Sequence, residues 1–96
     1  MHVISKKMLR DFWAIHPDSE IPLRAWHREA EHSDWGKFAD VRRSYPHADQ
    51  VGHLTVFNVG GNKYRLIAAI HYNRQKVHVR HVLTHENYAK GTWKDG

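Results

Sequence analysis

The residues best suited to chemistry lie close together in the second half of the chain. They comprise three permanent cations, one imidazole and one phenol, namely Lys63, Arg65, Arg80, His85 and Tyr88. Cleaving RNA without a metal requires this set of groups: a base takes the proton of the ribose 2′-hydroxyl, cations meet the charge developing on the phosphate, and an acid protonates the leaving oxygen. Aromatic rings can also stack on the flanking bases. These five residues are therefore the candidate site.

Histidines offer a rival chemistry, a metal-dependent hydrolase built on His71, His78, His81 or His85. No H-E-x-x-H motif accompanies them, and the acidic residues are concentrated in the first half of the chain, away from these histidines. The chain has no Cys, which excludes thiolate metal sites, iron–sulfur clusters and a disulfide framework. We therefore predict no metal and no cofactor.

Length and composition indicate the number of domains and the kind of partner. The chain has 96 residues, 41% of them hydrophobic, so we expect a single domain over residues 1–96. The formal net charge of +5, with ten His that can add to it, makes a polyanion the expected partner. No apolar run reaches the roughly 20 residues that span a bilayer, and no signal peptide is recognisable. We expect a soluble cytoplasmic protein without membrane contact.

The first half of the sequence predicts the elements that carry the core. A short apolar run over residues 2–4 is expected to form a strand, followed by a helix that starts after Ser5 and stops at Pro17. Asp18-Ser19 can cap a second helix, and residues 37–44 form a third that ends near Tyr45, because Pro46 follows.

The second half predicts an antiparallel sheet. Three runs of β-branched and aromatic residues, 54–59, 64–72 and 77–83, are separated by Gly60-Gly61-Asn62 and Asn73-Arg74-Gln75. Tight connections of this kind predict a three-stranded meander, after which Thr84 can cap a short turn of helix.

Strand alternation then assigns the side chains to faces. On the middle strand it places Arg65 with Ile67, Ala69 and His71. On the last strand it opposes His78, Arg80 and Val82 to Val77, Val79, His81 and Leu83. Each strand thus carries an Arg among apolar neighbours, an arrangement that is costly unless the Arg is paired, functional or able to reach solvent.

The order of these residues resembles the HigB-type toxins of bacterial type II toxin–antitoxin systems. The resemblance is carried by residues 56–67, V-F-N-V-G-G-N-K-Y-R-L-I, followed by residues 79–88, V-R-H-V-L-T-H-E-N-Y. It covers mainly residues 38–90. The joint pattern F-N-x-G-G-N-x-x-R-L and R-x-x-x-T-H-x-x-Y is specific.

The resemblance implies an α+β, RelE-like fold with an N-terminal strand and two to three helices packed on a small antiparallel sheet. It implies an endoribonuclease that cleaves mRNA, on the ribosome, and forms a hetero-oligomer with a HigA-like helix-turn-helix antitoxin. Arg65 would stabilise the scissile phosphate, His85 and Tyr88 would serve in acid–base work and base stacking, and Lys63 and Arg80 would bind RNA. Which group is the base stays open, and a non-catalytic RNA- or DNA-binding module is the main alternative function.

Overall fold

A computed structural model describes residues 1–95, over which the chain forms a five-stranded mixed sheet and four α helices. The elements follow one another as β1 (His2–Ile4), α1 (Lys6–Ile15), α2 (Glu20–His32), α3 (Phe38–Ser44), β2 (Asp49–Val51), β3 (Leu54–Val59), β4 (Tyr64–His71), β5 (Lys76–Thr84) and α4 (His85–Ala89). Short 3₁₀ segments cover Pro17–Ser19, Tyr72–Arg74 and Thr92–Asp95. The predicted α+β class and the RelE-like arrangement are confirmed.

The strand order is β1-β5-β4-β3-β2. The predicted meander is present as β3, β4 and β5, antiparallel throughout. Two short strands extend it in ways the sequence did not predict. Strand β1 pairs in parallel with residues Lys76 to His78 of β5, which makes the sheet mixed, and β2 pairs antiparallel with β3.

Helices α1, α2 and α3 cover one face of the sheet, which we call the helix face. Their buried residues meet strand residues that alternate with period two, as amphipathic elements require. The helices contribute Leu9, Leu23, Trp26, Ala30 and Val41, and the strands contribute chiefly Phe57, Val59, Leu66, Ala68, Val77 and Val79. This is the main core, and it holds the sheet rigid beneath the candidate site.

The opposite face, the open face, is covered only in part. A second, smaller apolar cluster of Val56, Ile67 and Trp93 lies there, with Leu83 and Tyr88 packed against it. Trp93 comes from the last 3₁₀ segment and Tyr88 from α4, so the end of the chain folds back over the sheet. The consecutive apolar run of β4 is thereby explained, since both of its faces are buried along part of its length.

Candidate active site

Arg65 lies on the open face at the start of β4. It is paired with Asn58 of β3 on one side and Leu83 of β5 on the other. Only 8% of its surface is exposed. Its Nη1 donates hydrogen bonds to the carbonyl oxygens of Asn62, at 3.2 Å, and Tyr64, at 3.1 Å. A guanidinium has five N–H groups, so these two bonds fix its orientation and leave donors on Nε and Nη2 for an anion.

Tyr88 is placed directly against that guanidinium. The Cζ atom of Arg65 lies 5.3 Å from the centroid of the Tyr88 ring, a cation–π distance. The same ring stacks on Trp93 at 5.4 Å with the planes 14° apart, and Trp93 Nε1 donates to the Tyr88 carbonyl oxygen at 3.0 Å. The Tyr88 ring therefore has two partners, the Arg65 guanidinium and the Trp93 ring.

His85 begins α4 and is exposed. The helix starts here because Thr84 accepts a hydrogen bond from the Asn87 backbone N–H at 3.1 Å, as the sequence predicted. The His85 backbone N–H donates to the Lys63 carbonyl oxygen at 2.9 Å, which ties α4 to the turn between β3 and β4. The structure thus brings Arg65, His85 and Tyr88 to one end of the open face.

Lys63 has a partner that the sequence did not reveal. Its ammonium lies 3.2 Å from Asp18, whose carboxylate also accepts a hydrogen bond from the Tyr64 hydroxyl. These two donors, Tyr64 first, hold the pKa of Asp18 below its usual value, and the bond to Asp18 raises the pKa of Tyr64. Asp18 therefore joins the second helical region to the sheet, rather than capping a helix as expected.

Arg80 occupies a β-bulge. Ile67 is paired with His81 but the next residue, Ala68, is paired with Val79, so Arg80 is an extra residue in β5 and is exposed. Strict alternation was therefore wrong beyond this point. Its position is three residues from Leu83, the partner of Arg65, which is about 10 Å along the strand.

The bulge reverses the faces of the residues that follow it. His81 and Leu83 lie on the open face, because each pairs with a β4 residue of that face. Val82 pairs with Leu66 and packs against the main core. Arg80 thus lies on β5, the strand that pairs with the Arg65 strand, whereas the Lys63 ammonium contacts Asp18.

His71 and His78 are neighbours across the β4–β5 hairpin, with ring centroids 5.1 Å apart. Burial and then nearby positive groups, His71 first among them, lower the pKa of His78. Among the residues that the structure describes, no three His, Asp or Glu side chains are arranged to hold a metal ion.

Two residues of the site were missed from the sequence. Trp93 packs against Tyr88. It lies outside the T-H-x-x-Y motif, beyond Gly91, and no sequence pattern around it predicts this contact. Asn58 is paired with Arg65, and the signal for it was available, because it belongs to the F-N-x-G-G-N motif.

Comparison with known proteins decides the family. A family model described as "HigB_toxin, RelE-like toxic component of a toxin-antitoxin system" matches residues 19–91. The chain belongs to this family. The matched region contains Arg65, His85 and Tyr88, and it ends before Trp93. The expectation drawn from the two sequence motifs is confirmed.

Curated relatives agree with that assignment. The chain is 32% identical over 91 residues to "mRNA interferase toxin HigB" of Escherichia coli (strain K12), covering 92% of this chain and 88% of the relative. It has the same identity and coverage with "mRNA interferase HigB" of Shigella flexneri. A third relative, "mRNA interferase HigB" of Escherichia coli O6:H1, is 28% identical over 95 residues, covering 96% and 92% of the two chains. Within residues 1–95, no helix has the length and apolar character to cross a membrane.

Proposed function

We propose that this chain is an endoribonuclease that cleaves mRNA as the toxin of a toxin–antitoxin pair, with residues 1–96 acting as one domain. The observation that carries the proposal is the fixed Arg65 guanidinium against the Tyr88 ring, with α4, which begins at His85, tied to the adjoining turn by the His85–Lys63 backbone bond. A cation held before substrate arrives stabilises developing charge without reorganisation. The names of the relatives, all mRNA interferases, support the same activity.

The proposed reaction is attack of the ribose 2′-oxygen on the adjacent phosphorus. The P–O5′ bond breaks as the P–O2′ bond forms, leaving a 2′,3′-cyclic phosphate and a free 5′-hydroxyl, and one proton passes from the nucleophile to the leaving oxygen through the protein. Arg65 meets the charge on the phosphate through its free N–H groups. His85 and Tyr88 supply the proton acceptor and donor. No step requires a metal.

The roles of the supporting cations differ. We assign Arg80 to the phosphate backbone beside the cut, supported by its exposure and by its position on the strand next to Arg65. Lys63 forms an ion pair with Asp18, which partly neutralises its charge, so we assign it a weaker contribution to RNA affinity. Both contributions are electrostatic attractions to the RNA phosphates, so they should weaken as the salt concentration rises.

The partners follow from the same proposal. The toxin family implies an antitoxin that neutralises this chain. We propose a HigA-like helix-turn-helix protein that forms a hetero-oligomer with it, and messages engaged on cytoplasmic ribosomes as the substrate. A helix-turn-helix reading frame adjacent to the gene for this chain would support the first part.

The test combines growth with mapping of new RNA 5′ ends on translating ribosomes. Arg65→Ala should lower the cleavage rate by about 10²–10³-fold and His85→Ala by about 10²–10⁴-fold, and both should abolish growth arrest. Arg74→Ala and His53→Ala are matched controls, since both residues are exposed in turns away from the site and should leave cleavage unchanged.

The outcomes separate the alternatives. A folded Arg65→Ala, His85→Ala double variant that still arrests growth would overturn the site assignment. Protection of RNA without any new 5′ end would support the non-catalytic binding module instead. Cleavage of free RNA that stops when excess chelator is added would indicate the metal-dependent hydrolase. The pH–rate profiles of His85→Ala and Tyr88→Phe are then compared with that of the wild type. The residue whose substitution removes the acidic limb of the profile is the proton acceptor.

A further inference from the structure

A cleft beside Arg65 has no role in the proposed reaction. It is lined by His47, Asn58, Gly61 and Asn62 and encloses about 410 Å³. We call it the Asn cleft. It lies between the loop that precedes β2 and the turn that joins β3 to β4. Its volume is in the range of clefts that hold small ligands.

The Asn cleft adjoins the candidate site through both of its amide residues. Asn58 is directly paired with Arg65 in the β3–β4 register, which brings their Cβ atoms to about 5 Å. The carbonyl oxygen of Asn62 accepts the hydrogen bond that orients the Arg65 guanidinium. If Arg65 binds the scissile phosphate, the nucleotide next to that phosphate would therefore lie at the entrance of the cleft.

The chemistry of the lining suits a base rather than a phosphate. None of the four lining residues has a permanent charge, and two present a side-chain amide, which has an acceptor oxygen and two N–H donors. Asn62 is exposed and Asn58 is half-buried, so a ligand in the cleft can reach both amides. Amides of this kind read the edge of an unpaired base, and a His ring can stack on its face.

Two glycines form the turn beside the cleft. Gly60 and Gly61 have φ angles of +65° and +68°, which glycine adopts without strain. Gly61 is exposed, and a side chain at this position would meet no atom within 4 Å. The glycines of the F-N-x-G-G-N motif therefore allow the turn that brings both Asn58 and Asn62 to the lining of the cleft.

We propose that the Asn cleft binds one unpaired nucleobase next to the scissile phosphate, with the amides of Asn58 and Asn62 on its edge and the His47 ring against its face. This proposal rests on the proposed function for its substrate class, and it makes the cleft a determinant of where the RNA is cut. It also gives the two asparagines of the sequence motif a function that the cleavage chemistry leaves unassigned.

Binding is tested without cleavage, using four single-stranded hexamers, each of one repeated base and with 2′-deoxy sugars so that the nucleophile is missing. In ¹⁵N-labelled protein the side-chain NH₂ signals of Asn58 and Asn62 should shift with at least one hexamer. Asn58→Ala and His47→Ala should weaken binding of that hexamer about tenfold more than binding of the others. Asn73→Ala, in an exposed turn, is the matched control and should change none. Hexamers that leave both amide signals unmoved, including hexamers that do not bind, would overturn the proposal.

Cleavage provides the second arm. The cut sites of wild-type protein and Asn58→Ala on one translated message are mapped, after thermal unfolding shows that the variant is folded. The ratio of rates at preferred and other bases should fall about tenfold. An unchanged ratio with cleavage retained would overturn the cleft proposal and leave the proposed function intact. If the Asn58 and Asn62 side-chain NH₂ signals shift but the protein never cleaves RNA, the proposed function is overturned and the cleft proposal stands.

Discussion

Trp93 provides the sharpest test of how the site is assembled, because it is the residue that fixes Tyr88 over Arg65. It is 4% exposed, stacks on the Tyr88 ring and donates from Nε1 to the Tyr88 carbonyl oxygen. It also packs on Val56 and Ile67 of the sheet. Trp93→Ala removes all of these contacts, so both stability and cleavage should fall.

The size of the effect can be worked out from these contacts. Removing a buried Trp side chain costs about 3–5 kcal/mol, and the lower end applies here because the apolar cluster around Trp93 is small. A loss of about 3 kcal/mol lowers the Tm of a domain of this size by about 12–24 °C. Trp93→Phe keeps an apolar ring but loses the hydrogen bond, which costs about 1 kcal/mol. Thermal unfolding followed by circular dichroism measures both.

Cleavage then separates a site effect from general destabilisation. At a temperature where each variant is folded, Trp93→Ala should cleave at least about tenfold more slowly, because a displacement of about 1 Å at a catalytic group can cost 10²-fold. Trp13→Ala, on α1 on the opposite side of the sheet, is the control: it should lower Tm and leave cleavage per folded molecule unchanged. A Trp93→Ala protein with a Tm within about 2 °C of wild type, or with undiminished cleavage, would refute this account of the site.

Three further results are expected. The pKa of Asp18 is lowered in the folded protein, so its contribution to stability is complete above the ordinary pKa of 3.8 and disappears as the pH falls through the folded-state pKa. In Asp18→Asn the free energy of unfolding, measured by urea titration, should therefore depend less on pH in that range. The pKa of His78 is lowered by burial and by His71, so wild type should lose stability as the pH falls below about 6.5, and His78→Gln should lose less over the same range. Thr84→Ala removes the helix cap and should cost about 1 kcal/mol, detected as faster hydrogen exchange of the Asn87 amide.

Sequence periodicity predicted the elements whose signals are local. The first and third helices, the start of the second and the three strands of the meander were predicted within a residue or two, since each shows its own period or its own boundary signal, Pro17 and Pro46 among them. The Thr84 cap was predictable for the same reason. The motif pair then identified Arg65, His85 and Tyr88 as a group, which alternation alone could not do.

Long-range pairing explains most of what was missed. Strand β1 is three residues long and joins β5 across more than 70 positions of sequence, and nothing in its own residues selects parallel pairing. Strand β2 is equally short and lies next to turn residues. The ion pair of Asp18 with Lys63 spans 45 positions, and in sequence Asp18 had an equally good local use as a helix cap.

The bulge at Arg80 had the largest consequence, because it shifts the side-chain register of β5 just before the site. Without it, Leu83 would face the helices and Val82 would face the open side. With it, Leu83 pairs with Arg65 on the open face and supports the apolar cluster on which Trp93 rests. That cluster holds the end of the chain against the sheet, and Trp93 in turn holds Tyr88 over the Arg65 guanidinium. One extra residue in a strand therefore links the alternation of the sheet to the geometry of the site, and it also leaves Arg80 exposed.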